Sequence, residues 1–452
     1  MSGAFEAPHL GPQALVLAGL VAHQLAKVWE QGLASVHESY APVFAVRLPP
    51  WATAAGQLAA LPAALVVAVS VRPAVGRFLV VGFLVLWLFS IQRRLANHAW
   101  LGTVAVVSMS FVPPDLDPVV AHDLLTGLYV SAALFKINHE YLISDRSAGR
   151  VVTRFYATLL RLRTPPWVMK WTPAAVIAVE FVVGVLLCVP HGSAVGLYLA
   201  VAMHWVFGVS GNFAFSIVAM SLWLTALSAR NGDVVLPGAH SAVWTVVPVG
   251  ALLALALSRT ADGRRPGILI LRDVFQGAAY VFLAAAAAAS PVHDAFQVGA
   301  RAEPVHWVVA AGFVLNLLLV VAGLKLDWSF AMFSGLRPFG HSWLQRGGLR
   351  HWPRYYVLTL PERLPKPLLS QVRPDFLYRA TREQHAVHEG VVYHLEAIAG
   401  EFGITFTPRI VSADRDRREL VPDGRGDQPR PRRTVLVFPA IVPRSFGSHY
   451  LG

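Results

Sequence analysis

A bilayer core about 30 Å thick takes roughly 20 apolar residues of helix to cross. This chain repeats such stretches near 12–32, 51–71, 74–92, 97–112, 119–138, 172–190, 194–210, 212–228, 243–258, 268–290 and 305–324. Inside hydrocarbon every backbone N–H and C=O must bond within the protein, so runs of this length fold as packed helices. Hydrophobic residues make up 55% of the chain and charged ones 14%, against ~25% charged in a soluble domain. The expected fold is an all-α polytopic membrane helix bundle of about 10–11 transmembrane helices, occupying residues 1–325. The first stretch carries His23, Lys27 and Glu30, and reads either as a span or as a re-entrant or interfacial helix.

Beyond residue 325 the composition changes. Pro and charged residues become frequent and short β-like runs appear at 355–359 and 434–438, so 326–412 reads as a small membrane-proximal region. The Pro, Arg and Asp mixture of 413–433 has little apolar surface to bury, and 413–452 is expected to be a largely disordered linker and tail. His385, His388 and His394 lie close together within 326–412. Without Cys or spaced carboxylates they read as a solvated helix face, not a zinc site.

Charge sets the orientation. Placing the Arg-rich 146–170 segment inside puts the basic 259–265 loop and the tail inside by alternation, as the positive-inside rule requires. The acidic 113–118 turn, the 232–233 loop and the 291–303 loop then fall outside, with Arg72 and Arg77 dissenting. The expected location is a bacterial inner membrane with the C-terminus cytoplasmic, the Ala- and Gly-rich, Arg-rich usage suggesting a GC-rich bacterial source. The net charge of +12 sits in loops and tail, and no basic stripe with interleaved aromatics argues for nucleic acid. Cys188 is the only cysteine, so an intrachain disulfide or a Cys-based metal site is excluded. The N-terminus lacks the basic n-region of a cleaved signal peptide. No P-loop or strand-helix GxGxxG is present, which removes the main support for nucleotide chemistry. Residues 147–171 alternate apolar and basic at helical spacing. They read equally as a helix in the headgroup plane or as a basic inside loop.

Ionisable groups within apolar runs point to function, because an unpaired charge there costs at least a few kcal/mol. His98 precedes the 113–118 turn by about 22 Å of helix and Lys136 follows it by about 26 Å at 1.5 Å per residue. The two are therefore expected at similar depth, sharing one pocket. Desolvation there favours the neutral amine, which makes Lys136 a usable base. The alternative is that Lys136 snorkels to headgroups while Asn97 and His98 cap a helix. Glu180 and His204 lie deeper, and the carboxylate requires a proton or a cationic partner, His204 or Lys136 being the obvious ones. A protonated Glu180 bonding across helices as packing glue is the competing reading.

The ordered set NHAWL (97–101), FKINHEYL (135–142), AVEFVVGVLL (178–187) and MHWVFGVSGNFAFSI (203–217), with DWSFAMFSGLR (327–337) after it, resembles the HTTM group. That group comprises the transmembrane region of vitamin K-dependent γ-carboxylase and its bacterial relatives. The resemblance covers about residues 90 to 340. It implies a lysine base, falling on Lys136, with a motif histidine on His98, acting on a reduced quinone with O2 and CO2. Asn138, His139, Glu140, Glu180, His204 and Asn212 are expected to line the substrate or cofactor site, and no metal is implied. The family's long β-rich region that engages a protein substrate has no counterpart in 326–452, and the sequence around Lys136 lacks the family's neighbouring acidic residue and Trp.

The first expectation is thus a membrane enzyme with Lys136 as base and His98 and Asn97 orienting it or stabilising an oxyanion. Its substrate would be a membrane-accessible small molecule or peptide. The second is a non-catalytic membrane protein that binds a lipid or peptide and assists maturation or export. A transporter would show interrupted helices in two related halves, and no such symmetry is present.

Overall fold

The computed structural model describes residues 9–71, 73–93, 95–145, 147–227, 234–235, 267–289, 298–300, 303–322, 324, 354–359, 366–405, 407–414, 419–423, 429–436 and 440–442. The stretch at 243–258, the 232–233 and 259–265 loops and the 327–337 segment lie outside these. Every other apolar stretch is helical. The helices are α1 Pro12–Gln31, α2 Pro50–Ser70, α3 Pro73–Ser90, α4 Asn97–Ser110, α5 Asp117–Lys136, α6 His139–Ile143, α7 Ala148–Leu159, α8 Pro166–Leu187, α9 Ser193–Phe207, α10 Phe213–Ala226, α11 Gly267–Ala289 and α12 Pro304–Val321. Five described helical runs are long and apolar enough to cross a membrane: Pro50–Ser70, Pro114–Lys136, Pro166–Leu187, Ser193–Ala226 and Pro304–Val321.

The run Ser193–Ala226 is two helices folded back on each other. His204 meets Phe215 and Ser216, Trp205 meets Phe213, and Gly196 faces Trp223. These pairs centre on residues 209–210, so the chain reverses in the π-turn Gly208–Asn212. Gly211 permits it with φ +109°, a conformation side-chain-bearing residues rarely adopt. The sequence division into 194–210 and 212–228 therefore matches the geometry.

The first half of α1 is interior. Leu17 and Leu20 are fully buried, it packs on α2, α4 and α10, and Gln13 bonds Val106 O and Ser110 Oγ of α4. The dissent of Arg77 from the charge rule has a local cause. Its guanidinium reaches Asp117 at 2.6 Å and the carbonyls of Met109 and Val112, the last turn of α4 and the residues beyond it. A paired arginine that caps a helix end reports packing, not topology.

α8 carries Pro173, which has no N–H to bond the carbonyl of Met169. Arg150 of α7 donates to that carbonyl at 2.9 Å and to those of Leu142 and Ile143. One buried guanidinium thus ties α6, α7 and α8 together. Residues 148–159 are helical, with Arg154 exposed on α7 and Leu160, Leu162, Trp167 and Trp171 exposed beyond it.

The C-terminal region is an antiparallel sheet with helices. Its strands are β3 Tyr355–Thr359, β4 Ala386–His388, β5 Thr407–Asp414, β6 Glu419–Pro422 and β7 Ile441–Val442, in the order β6-β5-β3-β4-β7. A separate two-residue pair, β1 His9–Leu10 with β2 Val234–Val235, joins distant parts of the chain. Helices α13 Lys366–Gln371, α14 Pro374–Thr381 and α15 Glu389–Glu401 accompany the sheet. Phe376, Val391, Leu395 and Ile398 form its core together with Tyr40 and Ala41 from the α1–α2 connection.

Within 413–452 the described residues include β6, β7 and a buried Leu436, with apolar pairs such as Leu420-Val421 lying beside a partner strand. The histidines are not a solvated face: His388 and His394 are buried, and the His388 ring accepts from Gly390 N as the α15 N-cap. The β-like run at 434–438 is irregular where described.

The appendage grips the helices at one place. Leu436 N donates to Val43 O, and Arg47 pairs with Glu401 at 2.7 Å. Val43 N in turn donates to Ile91 O, and Arg93 N to Ala41 O. The residues before α2 and after α3 are therefore joined to each other and to the sheet.

Burial pushes the His388 imidazole from 6.5 down to about 3. Burial, with Arg433 and Arg47 nearby, pushes His394 down to about 4. The unfolded chain takes up these protons first, so their contribution is complete above pH 6.5 and drains as the pH falls through the acid range. For His388 the loss is about 2 kcal/mol by pH 5. Limited proteolysis between residues 354 and 442 is expected to accelerate at pH 5 relative to pH 7, and His388→Asn to blunt that difference.

Candidate functional site

The first residue of α4, the inward face of α5, the middle of α8 and the end of α9 converge on one enclosed point. Tyr129, Ala132 and Lys136 stand three, four and seven residues apart on α5, hence on one helix face. α5 packs on α8, α10 and α12. Lys136 is 2% exposed and donates to both carboxylate oxygens of Glu180, at 2.9 and 2.8 Å, with a longer bond to Ala132 O. Glu180 is 4% exposed. A buried pair in contact through both oxygens satisfies the desolvation requirement of each group.

Lys136 ends α5 but does not sit at the end of the bundle. Glu180 is fourteen residues into α8, about 21 Å from its start, and α6 and α7 pack along that first part of α8. This placement explains why the amine does not snorkel.

On the opposite wall, Trp223 Nε1 donates to Tyr129 Oη at 2.9 Å, and Tyr129 Oη bonds His204 Nε2 at 2.8 Å. An indole only donates, so the phenol oxygen accepts from it and turns its own O–H toward Nε2. The tautomer assigned from this pattern carries its proton on Nδ1. That nitrogen is buried and has no hydrogen-bond partner among the described residues. The backbone carbonyl of His204 accepts from Ser216 Oγ across the hairpin. Asn97, Tyr129, Lys136, Glu180, His204 and Phe215 line a cavity of about 20 Å³, room for about one water. Tyr129→Phe is expected to cost about 1–3 kcal/mol by stranding the Trp223 N–H, measured as thermal unfolding in detergent.

Of the residues singled out from sequence, Asn97, Lys136, Glu180 and His204 meet at this cavity. His98 does not. Its ring packs edge-on against His23 of α1, centroids 4.0 Å apart, so the amine's partner is a carboxylate from α8 and not the expected imidazole. Counting along two helices fixes depth but not which faces meet. Asn138 donates to Phe135 O and accepts from Tyr141 N, which makes it the hinge between α5 and α6 and not a cavity residue. Asn212 is in the π-turn, where its carbonyl accepts from Ser216 Oγ. His139 and Glu140 open α6, their side chains lying outside the described residues.

Tyr129 and Trp223 escaped the sequence reading, since aromatics in apolar runs read as core. The available signal was the seven-residue offset from Lys136, which puts Tyr129 on the lysine's own face. No protein-family model, curated protein or solved structure matches the chain.

Proposed function

We propose that this chain is a multi-pass membrane enzyme in which Lys136 takes a proton from a membrane-accessible substrate. The observation that carries the reading is the buried Lys136–Glu180 contact opening on a small cavity beside the bare Nδ1 of His204. Lys136 Nζ lies within hydrogen-bond distance of both Glu180 oxygens, which gives a proton a direct path from the amine to the carboxylate. The uncharged amine then accepts one from the substrate while Glu180 holds the other. His204 Nδ1–H and the Asn97 amide suit an oxygen on which negative charge develops.

The resemblance to the carboxylase group supports the same lysine and adds a reduced quinone, O2 and CO2. A 20 Å³ cavity admits a molecule the size of water, O2 or CO2, but not a quinone ring. The quinone, O2 and CO2 come from the resemblance alone. The basic 146–170 segment and tail support a cytoplasmic C-terminus in a bacterial inner membrane. The exposed tryptophans and leucines around Arg161, Arg163 and Lys170 support an anchor in the headgroup layer.

The test is a mass-spectrometric comparison of lipid and secreted-peptide extracts from cells lacking the protein and cells carrying wild type, Lys136→Ala or Lys136→Arg. The same unconverted species is expected to accumulate in the deletion and in both variants. Wild-type extracts from both variants would refute the base assignment.

A further inference from the structure

One helical turn from the ionic cavity lies a second cavity, apolar and wider. Asn97 and Leu128 line the ionic cavity. Trp100, three residues on in α4, and Leu124, four residues back in α5, line a second one of about 320 Å³. Residues three and four apart share a face, so both cavities lie along one groove between α4 and α5.

α12 closes the wide part. Phe313 seats directly against Gly127 of α5, where a Cβ has no room, and His306 at the start of α12 bonds Asp123 Oδ2 at 2.6 Å. Both helices thus run in the same direction, pinned at two levels. Gly312 lines the cavity, and an added Cβ there meets nothing within 4 Å. Val308 and Leu315 belong both to the cavity wall and to the exposed face of α12, being 71% and 57% exposed. The cavity therefore opens on a surface that hydrocarbon covers in a membrane. Its walls are apolar apart from Ser108 and Asn316, and its size falls within the ~300–1,000 Å³ of ligand pockets.

We infer that this cavity holds the hydrocarbon chain of a single-chain membrane amphiphile, acyl or polyprenyl, taken from the bilayer past α12. Its small oxygen-bearing end extends along the groove to the Lys136 cavity. That last clause rests on the functional reading above; the chain site does not.

The test uses the full-length protein in phosphatidylglycerol vesicles doped with a fatty acid or with a polyprenol, each carrying a diazirine in its tail. After illumination, labelled residues are located by mass spectrometry. Label is expected to concentrate on Leu124 and Phe313, and the stronger of the two probes identifies the chain class. Gly312→Trp, which fills the cavity, is expected to lower that label by roughly tenfold and to leave label on the outward Trp307 and Leu318 unchanged. Val104→Trp, on the α4 wall, is expected to do the same and covers the case in which the first variant fails to fold. Label on Leu124 and Phe313 no greater than on Trp307, or indifferent to both fillings, would overturn the inference. Lys136→Ala is expected to keep the tail label, so failure of the base assignment and failure of the chain site give different results.

Discussion

Glu180→Ala is expected to lower the unfolding free energy by about 3–5 kcal/mol, read as a fall in melting temperature of the detergent-solubilised protein. The substitution leaves the Lys136 ammonium buried without the Glu180 carboxylate it bonds. The upper end has a physical ceiling, because a stranded ammonium can shed its proton. At pH 7 that costs about 5 kcal/mol for an amine with an ordinary pKa near 10.4. Lys136→Met strands the carboxylate instead, and protonating it at pH 7 costs only about 4 kcal/mol. The lysine variant is therefore expected to be the more stable of the two. Replacing both residues by Met removes both stranded charges and is expected to recover most of the loss, as apolar replacements of buried ion pairs do. Equal stabilities for wild type and Glu180→Ala would mean that the pair is open to water.

Lys136→Ala is expected to reduce turnover by roughly 10²–10⁴-fold, the usual contribution of a positioned base. Lys136→Arg is expected to fare no better, since a guanidinium keeps the charge but does not give up its proton near neutral pH. The double Met variant separates structure from chemistry. It is expected to fold and to remain inactive, and a folded, active double variant would remove any catalytic role for the pair. His204→Phe retains the ring's volume and loses the Nδ1 donor. Its expected loss is smaller, about 10²-fold, in line with removal of one oxyanion donor.

The sequence disclosed the helices and the site unequally, for physical reasons. Long apolar runs declare themselves through hydropathy, so α1 to α5 and α8 to α12 lie close to where it puts them. Lys136, Glu180 and His204 were legible because hydrocarbon makes any ionisable group conspicuous. Their pairing was only partly so. Depth along a helix follows from residue counting, yet which neighbour lies beside it depends on packing, and α8 intervenes where an imidazole from α4 was expected. Glu180 did offer itself as a partner, because a mid-helix carboxylate must find a cation. Tyr129 and Trp223 gave no polar signal in sequence, since one hydrogen-bonding atom on a large ring leaves hydropathy unchanged. In the C-terminal region β6 and β7 are four and two residues long. Runs so short have no period to detect; the neighbouring strand supplies what they lack.

The grip of the C-terminal sheet on the feet of α2 and α3 bears on how these helices can move. With Val43 bonded to both Ile91 and Leu436, those two helices cannot splay apart or tilt separately without breaking main-chain bonds on both sides. α4 is likewise held by α1 and by the Arg77 cap. α12 meets the bundle along one narrow side, with most of its surface facing outward. α12, held to α5 at Phe313–Gly127 and at His306–Asp123, is the outermost of the described walls of the groove.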